Sequence, residues 1–359
     1  MKKIDWYIIK KYLGTFFFTT ILAIMVVVVV NASENVDDFI EYSVPFKSIV
    51  FEYYFNFVPN IILMVCPLFV FIAVIFFTSQ MASRTELVAI LGSGVSYYRV
   101  LLGPYLLSAV FLMGLQLYAN HFLVPKANLG MLEYEDKYTK NKLNKRERNI
   151  NMQLDEQSYL TLKSYEPKDS VGREFILEVV EDKKLIKKIK ASQIKWLNEK
   201  QKWQLKNYTI REINGEDEKL MTGDTIISEF PLSPDDFGQK EMFKNALTTP
   251  DLDKLIERER VKGSSNLAAL QVERYKRTAL PFATIILTII GFAIASRKTR
   301  GGMGLHLLMG LGISGLFVVM LQFATSFAIK SNFSPLLAVW LPNIFFSVIS
   351  LILVRLSPK

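Results

Sequence analysis

Six apolar segments, each close to the length that crosses a lipid bilayer, constrain this 359-residue chain more than any other feature. A helix needs roughly 20 mostly apolar residues to span the hydrocarbon core. Three segments precede and three follow a long charged stretch that contains no such run. The chain is therefore expected to be an α-helical membrane protein with six transmembrane helices in a three-plus-three plan. The expected spans are residues 12–30, 57–77, 100–118, 279–295, 303–329 and 335–354.

Basic residues beside the spans indicate which ends face the cytoplasm, because lysine and arginine are enriched on that side. One assignment satisfies all the short loops, and it places acidic residues 34–41 and charged residues 125–276 outside. Both termini are then expected in the cytoplasm. The net charge of +9 thus records topology and does not indicate a nucleic-acid-binding surface. The bases expected inside are Lys2, Lys3, Lys10, Lys11, Arg84, Arg99, Arg297, Lys298, Arg300, Arg355 and Lys359.

The charged stretch predicts an inserted β domain. Apolar and polar residues alternate over residues 159–163 and 174–180, which is the period of a half-buried strand. Residues 194–197 and 203–213 flank a polar five-residue loop and predict a β-hairpin.

A helical exit is expected near the end of this insert. Residues 249–251, Thr-Pro-Asp, predict the start of a helix, and Gly263 predicts its end. The expected parts are an N-terminal membrane half, a β domain with its helical exit and a C-terminal membrane half, over residues 1–124, 125–276 and 277–359.

The loop between the second and third spans, residues 79–99, carries a helical pattern of its own. Ser83 precedes Glu86 by three residues, the spacing of a capping box, and Gly92 and Gly94 both offer a left-handed stop. A short helix is therefore expected over about residues 80–92. Two interpretations remain: the helix docks into a groove of another protein, or it lies flat on lipid headgroups.

Several function classes are excluded. No span has a charged residue at its centre, unlike the spans of ion-coupled carriers. No G-x-x-x-x-G-K-[ST] phosphate loop is present, so the chain cannot energise itself with ATP. His121 and His306 are far apart and suggest neither a metal site nor an enzyme.

Small residues mark one part of the fifth span as a helix-packing surface. They allow close approach by a neighbouring helix, either of the same subunit or of a partner. The residues concerned are Gly310, Gly312, Ser314 and Gly315.

The order of several motifs resembles a known family. The stretches are IDWYIIKKYLGTF, ASRTELVAILGSGVS, RYKRTALPFATIIL, GLGISGLFVVMLQFATSF and LLAVWLPNIFFSVISLILV. With the three-plus-three plan, they resemble the LptF/LptG permeases of the lipopolysaccharide-export ABC transporter over essentially the whole chain. The specific core is R-[ST]-E-L followed by S-G, at Arg84, Thr85, Glu86, Leu87, Ser93 and Gly94.

This resemblance implies a half-transporter of the bacterial inner membrane. It implies a heterodimer with a paralogous permease, an LptB-like cytoplasmic ATPase dimer, and LptC/LptA-like periplasmic jellyrolls that accept lipopolysaccharide. ATP and Mg²⁺ would lie in the ATPase, so no cofactor and no catalytic residue are expected in this chain. The β domain would be jellyroll-like. A rival hypothesis is a mechanotransducing or scaffold subunit that couples an ATPase to a periplasmic domain without carrying lipid.

The resemblance also implies roles for two sets of residues. Arg84, Glu86, Leu87, Ser93 and Gly94 would couple to the ATPase, with the Glu86 carboxylate meeting basic residues of that partner. The first and fifth spans would line a lateral gate, which gives the small-residue surface of the fifth span a use against the partner's first span.

The outer end of the first span departs from the family, whose better-known members carry bases there that meet lipid A phosphates. Here that end carries four carboxylates, Glu34, Asp37, Asp38 and Glu41, which repel phosphate. The repulsion is relieved if divalent cations bridge carboxylates and phosphates, if the substrate carries fewer phosphates, or if the partner permease supplies positive charge. The i, i+3, i+4, i+7 spacing of the four carboxylates places them on one helical face. Asp37 and Asp38 are the candidate Ca²⁺ or Mg²⁺ ligands, and a solvated helix end is the alternative. The expected headgroup region comprises Asn31, Glu34, Asp37, Asp38 and Glu41.

Overall fold

A computed structural model of the chain confirms the helical membrane architecture with an inserted β domain. Four predicted cytoplasmic bases, Lys2, Lys298, Arg300 and Lys359, and the helix stop at Gly263 lie outside the described residues. The structure describes residues 3–138, 147–154, 157–166, 169–181, 184–198, 200–214, 217–230, 232, 234, 244–261, 266–297, 302–331 and 333–357.

Helices account for the predicted spans. Within the described ranges, six helices are long and apolar enough to cross a membrane, and the two shorter helices, α3 and α5, are not among them. The helices are α1 (Lys3–Glu41), α2 (Phe46–Ser83), α3 (Glu86–Gly92), α4 (Tyr97–Tyr138), α5 (Thr249–Val261), α6 (Leu267–Ala295), α7 (Gly302–Lys330) and α8 (Pro335–Arg355).

The first three spanning helices extend well beyond their predicted apolar cores. The 39 residues of α1 would be about 58 Å long at 1.5 Å per residue, roughly twice the hydrocarbon thickness. Both the basic N-terminal segment and the acidic segment after the first span therefore belong to this one helix. Helix α2 continues through Pro59 and Pro67, and a π-helical turn at Ile49–Tyr54 follows its first three residues.

The membrane helices belong to one compact unit, which comprises Met1–Met131 and Gln271–Lys359. Helix α6 lies at its centre: 61% of its most apolar window is buried, against 11% for α1 and 17% for α7. Polar side chains also tie α6 to its neighbours. The Tyr12 and Thr288 hydroxyls lie 2.6 Å apart, and Gln116 donates to Thr284 at 2.8 Å.

The second compact unit, Leu132–Leu270, contains a six-stranded antiparallel sheet. Its strands pair in chain order, and the predicted hairpin is present with Leu197 opposite Lys202. The core of the sheet includes Trp203, whose indole N–H donates to the Leu232 carbonyl at 3.0 Å. The strands are β1 (Glu147–Gln153), β2 (Ser158–Glu166), β3 (Val171–Glu181), β4 (Lys184–Leu197), β5 (Lys202–Asn214) and β6 (Asp217–Ser228).

Helix α5 begins at Thr249, where the sequence predicts a helix start. The Thr248 hydroxyl donates to Asp251 Oδ2 at 2.6 Å, and this hydrogen bond lowers the pKa of the Asp251 carboxyl. A carboxylate in the first turn also complements the positive end of the helix dipole.

Candidate functional site

The loop between α2 and α4 holds the short helix α3, and its start differs from the prediction. Helix α2 runs on to Ser83, whose hydroxyl donates to the Gln80 carbonyl of its own helix at 2.9 Å. Thr85 then adopts a left-handed conformation with φ of 59°, and Glu86 is the first residue of α3. The predicted Ser83 capping box is therefore wrong, because the second span does not end before that residue.

Of the two predicted glycine stops, Gly94 is confirmed, whereas Gly92 is still helical. Gly94 has φ of 87°, a conformation that favours glycine, and its N–H donates to the Leu91 carbonyl at 3.1 Å. Ser93 is the C-cap, and its hydroxyl donates to the Ile90 carbonyl at 2.7 Å. The last turn of α3 is thus closed within the loop.

Helix α3 has one anchored face and one open face. Leu87 is buried in a cluster with Met81, Tyr97 and Val100. Arg84, Val88 and Ser93 are exposed. A seven-residue helix is too short to be stable alone, so the buried Leu87 is what holds this one in place.

The Glu86 carboxylate contacts the N-terminal part of α1. Its Oε2 accepts a hydrogen bond from the Tyr7 hydroxyl at 2.8 Å and lies 3.6 Å from Lys11 Nζ. The Lys11 ammonium also lies 4.9 Å from the centre of the Tyr7 ring. Sequence reasoning missed these partners, although the i, i+4 spacing of Tyr7 and Lys11 places both on one face of α1.

A second contact ties the other end of this loop to α1. Arg99 Nη2 lies 2.7 Å from Asp5 Oδ2, and Asp5 is buried. A Cβ on Gly103 would lie 2.0 Å from Arg99 Nη1, so the absence of a side chain there lets the guanidinium lie along the helix. The sequence indicated Arg99 only as a marker of topology.

The small residues of α7 divide between two faces. Gly310 packs on α2, since a Cβ there would lie 2.6 Å from Ile75 Cδ1. Ser314 is buried, and its hydroxyl donates to the Gly310 carbonyl at 2.8 Å. A Cβ on Gly312 or Gly315 would meet nothing within 4 Å. Packing within the subunit therefore accounts for Gly310 and Ser314, whereas Gly312 and Gly315 lie on an open surface.

The acidic segment is helical to Glu41, so its four carboxylates do share the spacing of one helical face. Asp37 is exposed and Asp38 half-buried, and the Asn31 side-chain oxygen accepts from the Tyr53 hydroxyl at 3.1 Å. Among the described residues, no group of three or more His, Cys, Asp or Glu side chains could hold a metal ion. A cation at Asp37 and Asp38 would therefore need oxygen ligands from water or from substrate.

An apolar cavity of about 320 Å³ lies between α1, α2 and α4 inside the membrane unit. Its size and apolar lining suit hydrocarbon rather than a polar solute. The side chains that line it include Phe16, Ile24, Leu63, Cys66, Leu112 and Leu115.

Comparison with known families relates the whole chain to one set of membrane proteins. The family described as lipopolysaccharide export system permease LptF/LptG matches residues 6–356. That range includes both groups of spans, the loop with α3, and the β sheet. A search of curated proteins finds no match.

Proposed function

Since the chain belongs to the LptF/LptG family of lipopolysaccharide export permeases, we propose that it is one permease of an ATP-driven glycolipid exporter. In this proposal it extracts lipopolysaccharide from the inner membrane and passes it to a periplasmic bridge. It pairs with a paralogous permease, and an LptB-like ATPase dimer supplies the energy. LptC/LptA-like jellyrolls receive the lipid beside the β sheet of this chain. Both termini lie in the cytoplasm and the sheet lies in the periplasm.

The observation that carries this proposal is the exposure of α1 and α7. These two helices bury the least of their apolar windows inside the chain, 11% and 17%. Their open surfaces include Val29 on α1 and both Gly312 and Gly315 on α7. A glycine-rich surface with no neighbour in its own subunit suits close approach by a helix of the paralogous permease. In the heterodimer, the first span of each permease lies beside the fifth span of the other. Lipid enters sideways between the two helices of each pair.

The coupling role belongs to the loop with α3. Arg84 and Ser93 are exposed, Leu87 anchors the helix, and Gly94 ends it. The Glu86 side chain keeps 30% of its surface exposed. A basic residue of the ATPase can therefore approach this carboxylate from the cytoplasm.

A scaffold function is the second candidate, and the acidic outer end of α1 favours it. Glu34, Asp37 and Glu41 are exposed and would repel the phosphates of a glycolipid. A scaffold subunit would transmit ATPase motion to the β sheet without lipid in the membrane unit.

Photo-crosslinking separates the two functions. A photoreactive residue at Val29, 68% exposed on α1, should trap lipopolysaccharide in the assembled complex. The matched control is Leu351, 66% exposed on α8, which should trap bulk phospholipid. Equal ratios of crosslinked lipopolysaccharide to crosslinked phospholipid at both positions would contradict the exporter function and favour the scaffold function.

A further inference from the structure

The N-terminal end of α1 holds the loop with α3 at two separate places. Asp5 pairs with Arg99 at 2.7 Å, at the C-terminal end of the loop. Tyr7 and Lys11 contact Glu86, at the start of α3, at 2.8 and 3.6 Å. These three contacts, which involve Asp5, Tyr7 and Lys11 of α1, form the N-terminal clamp.

Helix geometry shows that the clamp holds both flanks of α1. Each residue advances about 100° around a helix, so Asp5 and Tyr7 lie on nearly opposite sides. Ile8 and Tyr12 lie between them and are fully buried. They share one core cluster with Leu87 and Tyr97 of the loop. The loop therefore packs on an apolar strip of α1 and is fastened by polar contacts at both edges of that strip.

Helix α1 connects this clamp to the first span without interruption. Its 39 residues, Lys3–Glu41, form one helix with no proline. The clamp residues belong to the first three turns, and Glu34 to Glu41 belong to the last two. A rigid displacement at Tyr7 is thus carried along the same helix to its acidic outer end.

We propose that Asp5, Tyr7 and Lys11 are positioning residues that fasten the ATPase-docking loop to the first span, so that α3 and α1 move as one body. This inference rests on the exporter function, and it assigns the first span as the route from ATPase motion to the gate. Both contacts to Glu86 fall on Oε2. The carboxylate therefore keeps room for a base of the ATPase while the clamp stays closed.

The partly exposed half of the clamp is the suitable target. Lys11 and Glu86 keep 26% and 30% of their side-chain surfaces exposed, so their ion pair adds little to folding stability. Asp5 is buried, and removal of Arg99 would leave its charge without this partner at a cost to the fold. The test variant is therefore Tyr7→Phe/Lys11→Met, which leaves Glu86 intact. Its matched control is Tyr118→Phe/Lys10→Met, at an exposed tyrosine and an exposed lysine.

A distance measurement tests whether the loop and α1 move together. Spin labels are placed at Lys10 and Val88, both exposed, in a Cys66→Ala background of the full complex. With the wild-type clamp, the label distance should be the same without nucleotide and with a trapped ATP analogue. In Tyr7→Phe/Lys11→Met it should change between these states. A nucleotide-dependent change in the wild type, or no change in the clamp variant, would overturn the proposal.

Transport stoichiometry tests the consequence for function. Networks of this kind contribute coupling that corresponds to roughly a two- to thirtyfold effect on linked equilibria. In reconstituted vesicles, the clamp variant should release fewer lipopolysaccharide molecules per ATP by at least the lower figure, and the control should match wild type. Wild-type stoichiometry in the clamp variant would overturn the proposal. Failure of the exporter function itself is distinguishable, because the wild-type complex would then release no lipid.

Discussion

Glu86 is the residue at which the chain's own packing and its proposed partner meet. Its carboxylate is fixed by the Tyr7 hydroxyl, and Thr85 before it adopts a left-handed conformation. A side chain fixed in advance loses less rotamer entropy when a second group binds. The local geometry of the loop thus suits Glu86 to the proposed contact with a base of the ATPase.

Replacement of this residue tests the coupling role. Glu86→Ala should weaken assembly with the ATPase dimer and reduce lipid-stimulated ATP hydrolysis. Truncation of one partner in a partly buried charge pair typically costs about 2–5 kcal/mol. Co-purification and ATPase rates in vesicles measure both effects. The control is Ser83→Ala, which replaces an exposed side chain and removes only its hydrogen bond to the Gln80 carbonyl within α2. Wild-type assembly and stimulated hydrolysis in Glu86→Ala would contradict the coupling role.

A second prediction concerns the acidic end of α1. If Ca²⁺ or Mg²⁺ bridges Asp37 and Asp38 to substrate phosphates, a chelator should weaken lipopolysaccharide binding to the wild-type complex. Asp37→Asn/Asp38→Asn should be much less sensitive, because amides lack the charge that hard cations favour. Equal chelator sensitivity in the two proteins would leave a solvated helix end as the explanation.

At this scale the sequence identified some residues and missed their partners. Glu86 and Gly94 stood out because capping and turn chemistry are local. Tyr7, Lys11 and Asp5 did not, because their contacts join residues 75 to 94 positions apart. The Ser83 cap was wrong for a related reason: the end of α2 depends on packing, which a capping pattern does not record.

At the scale of helices, α7 has an inner and an outer face. Gly310 lies against Ile75 of α2, while Gly312 and Gly315 lie on the open side. The small residues of α7 therefore belong to two different surfaces, one packed inside the subunit and one open to the proposed paralogous permease.

Two glycine variants separate these surfaces. Gly312→Leu should insert and fold normally but reduce transport, because its side chain would hold the partner helix away. Gly310→Leu should lower the yield of folded protein, since overpacking typically costs about 1–3 kcal/mol. Membrane insertion, detergent stability and transport in vesicles measure the difference. Unchanged transport in Gly312→Leu would show that this face does not line a gate.

Hydropathy predicted the number and order of the spanning helices but not their ends. The apolar core of the first span stops near Val30, whereas α1 continues to Glu41. Hydropathy reports transfer into lipid, and a helix can extend into water on polar residues. The β4–β5 hairpin was predictable from its alternation and polar loop. The pairing of all six strands in chain order was not, because alternation marks a strand without saying which strand lies beside it.

For the whole molecule, the sidedness of the chain is a further prediction. In a Cys66→Ala background, a cysteine at exposed Ser83 should react with a membrane-impermeant maleimide only when the cytoplasmic face is accessible. A cysteine at exposed Lys219, on β6, should react only from the periplasmic face. The reason is the distribution of bases among the short loops. Labelling of both positions from the same face would contradict the proposed topology.

The three-plus-three plan was predictable because a bilayer permits few solutions for an apolar segment of this length. The surfaces available for contact with another subunit were not predictable, because they depend on which helix faces remain uncovered when the chain has folded. The open surfaces of α1 and α7, whose most apolar windows are 11% and 17% buried, become visible only once the helices are packed.

Lipid release from vesicles tests the central claim most directly. Vesicles would contain lipopolysaccharide and the complex of this chain, its paralogous permease and the ATPase dimer, with a soluble periplasmic jellyroll protein as acceptor. The exporter account predicts that lipopolysaccharide appears on the acceptor only when ATP is hydrolysed, and not when this chain is omitted. ATP hydrolysis without any lipopolysaccharide on the acceptor would contradict it.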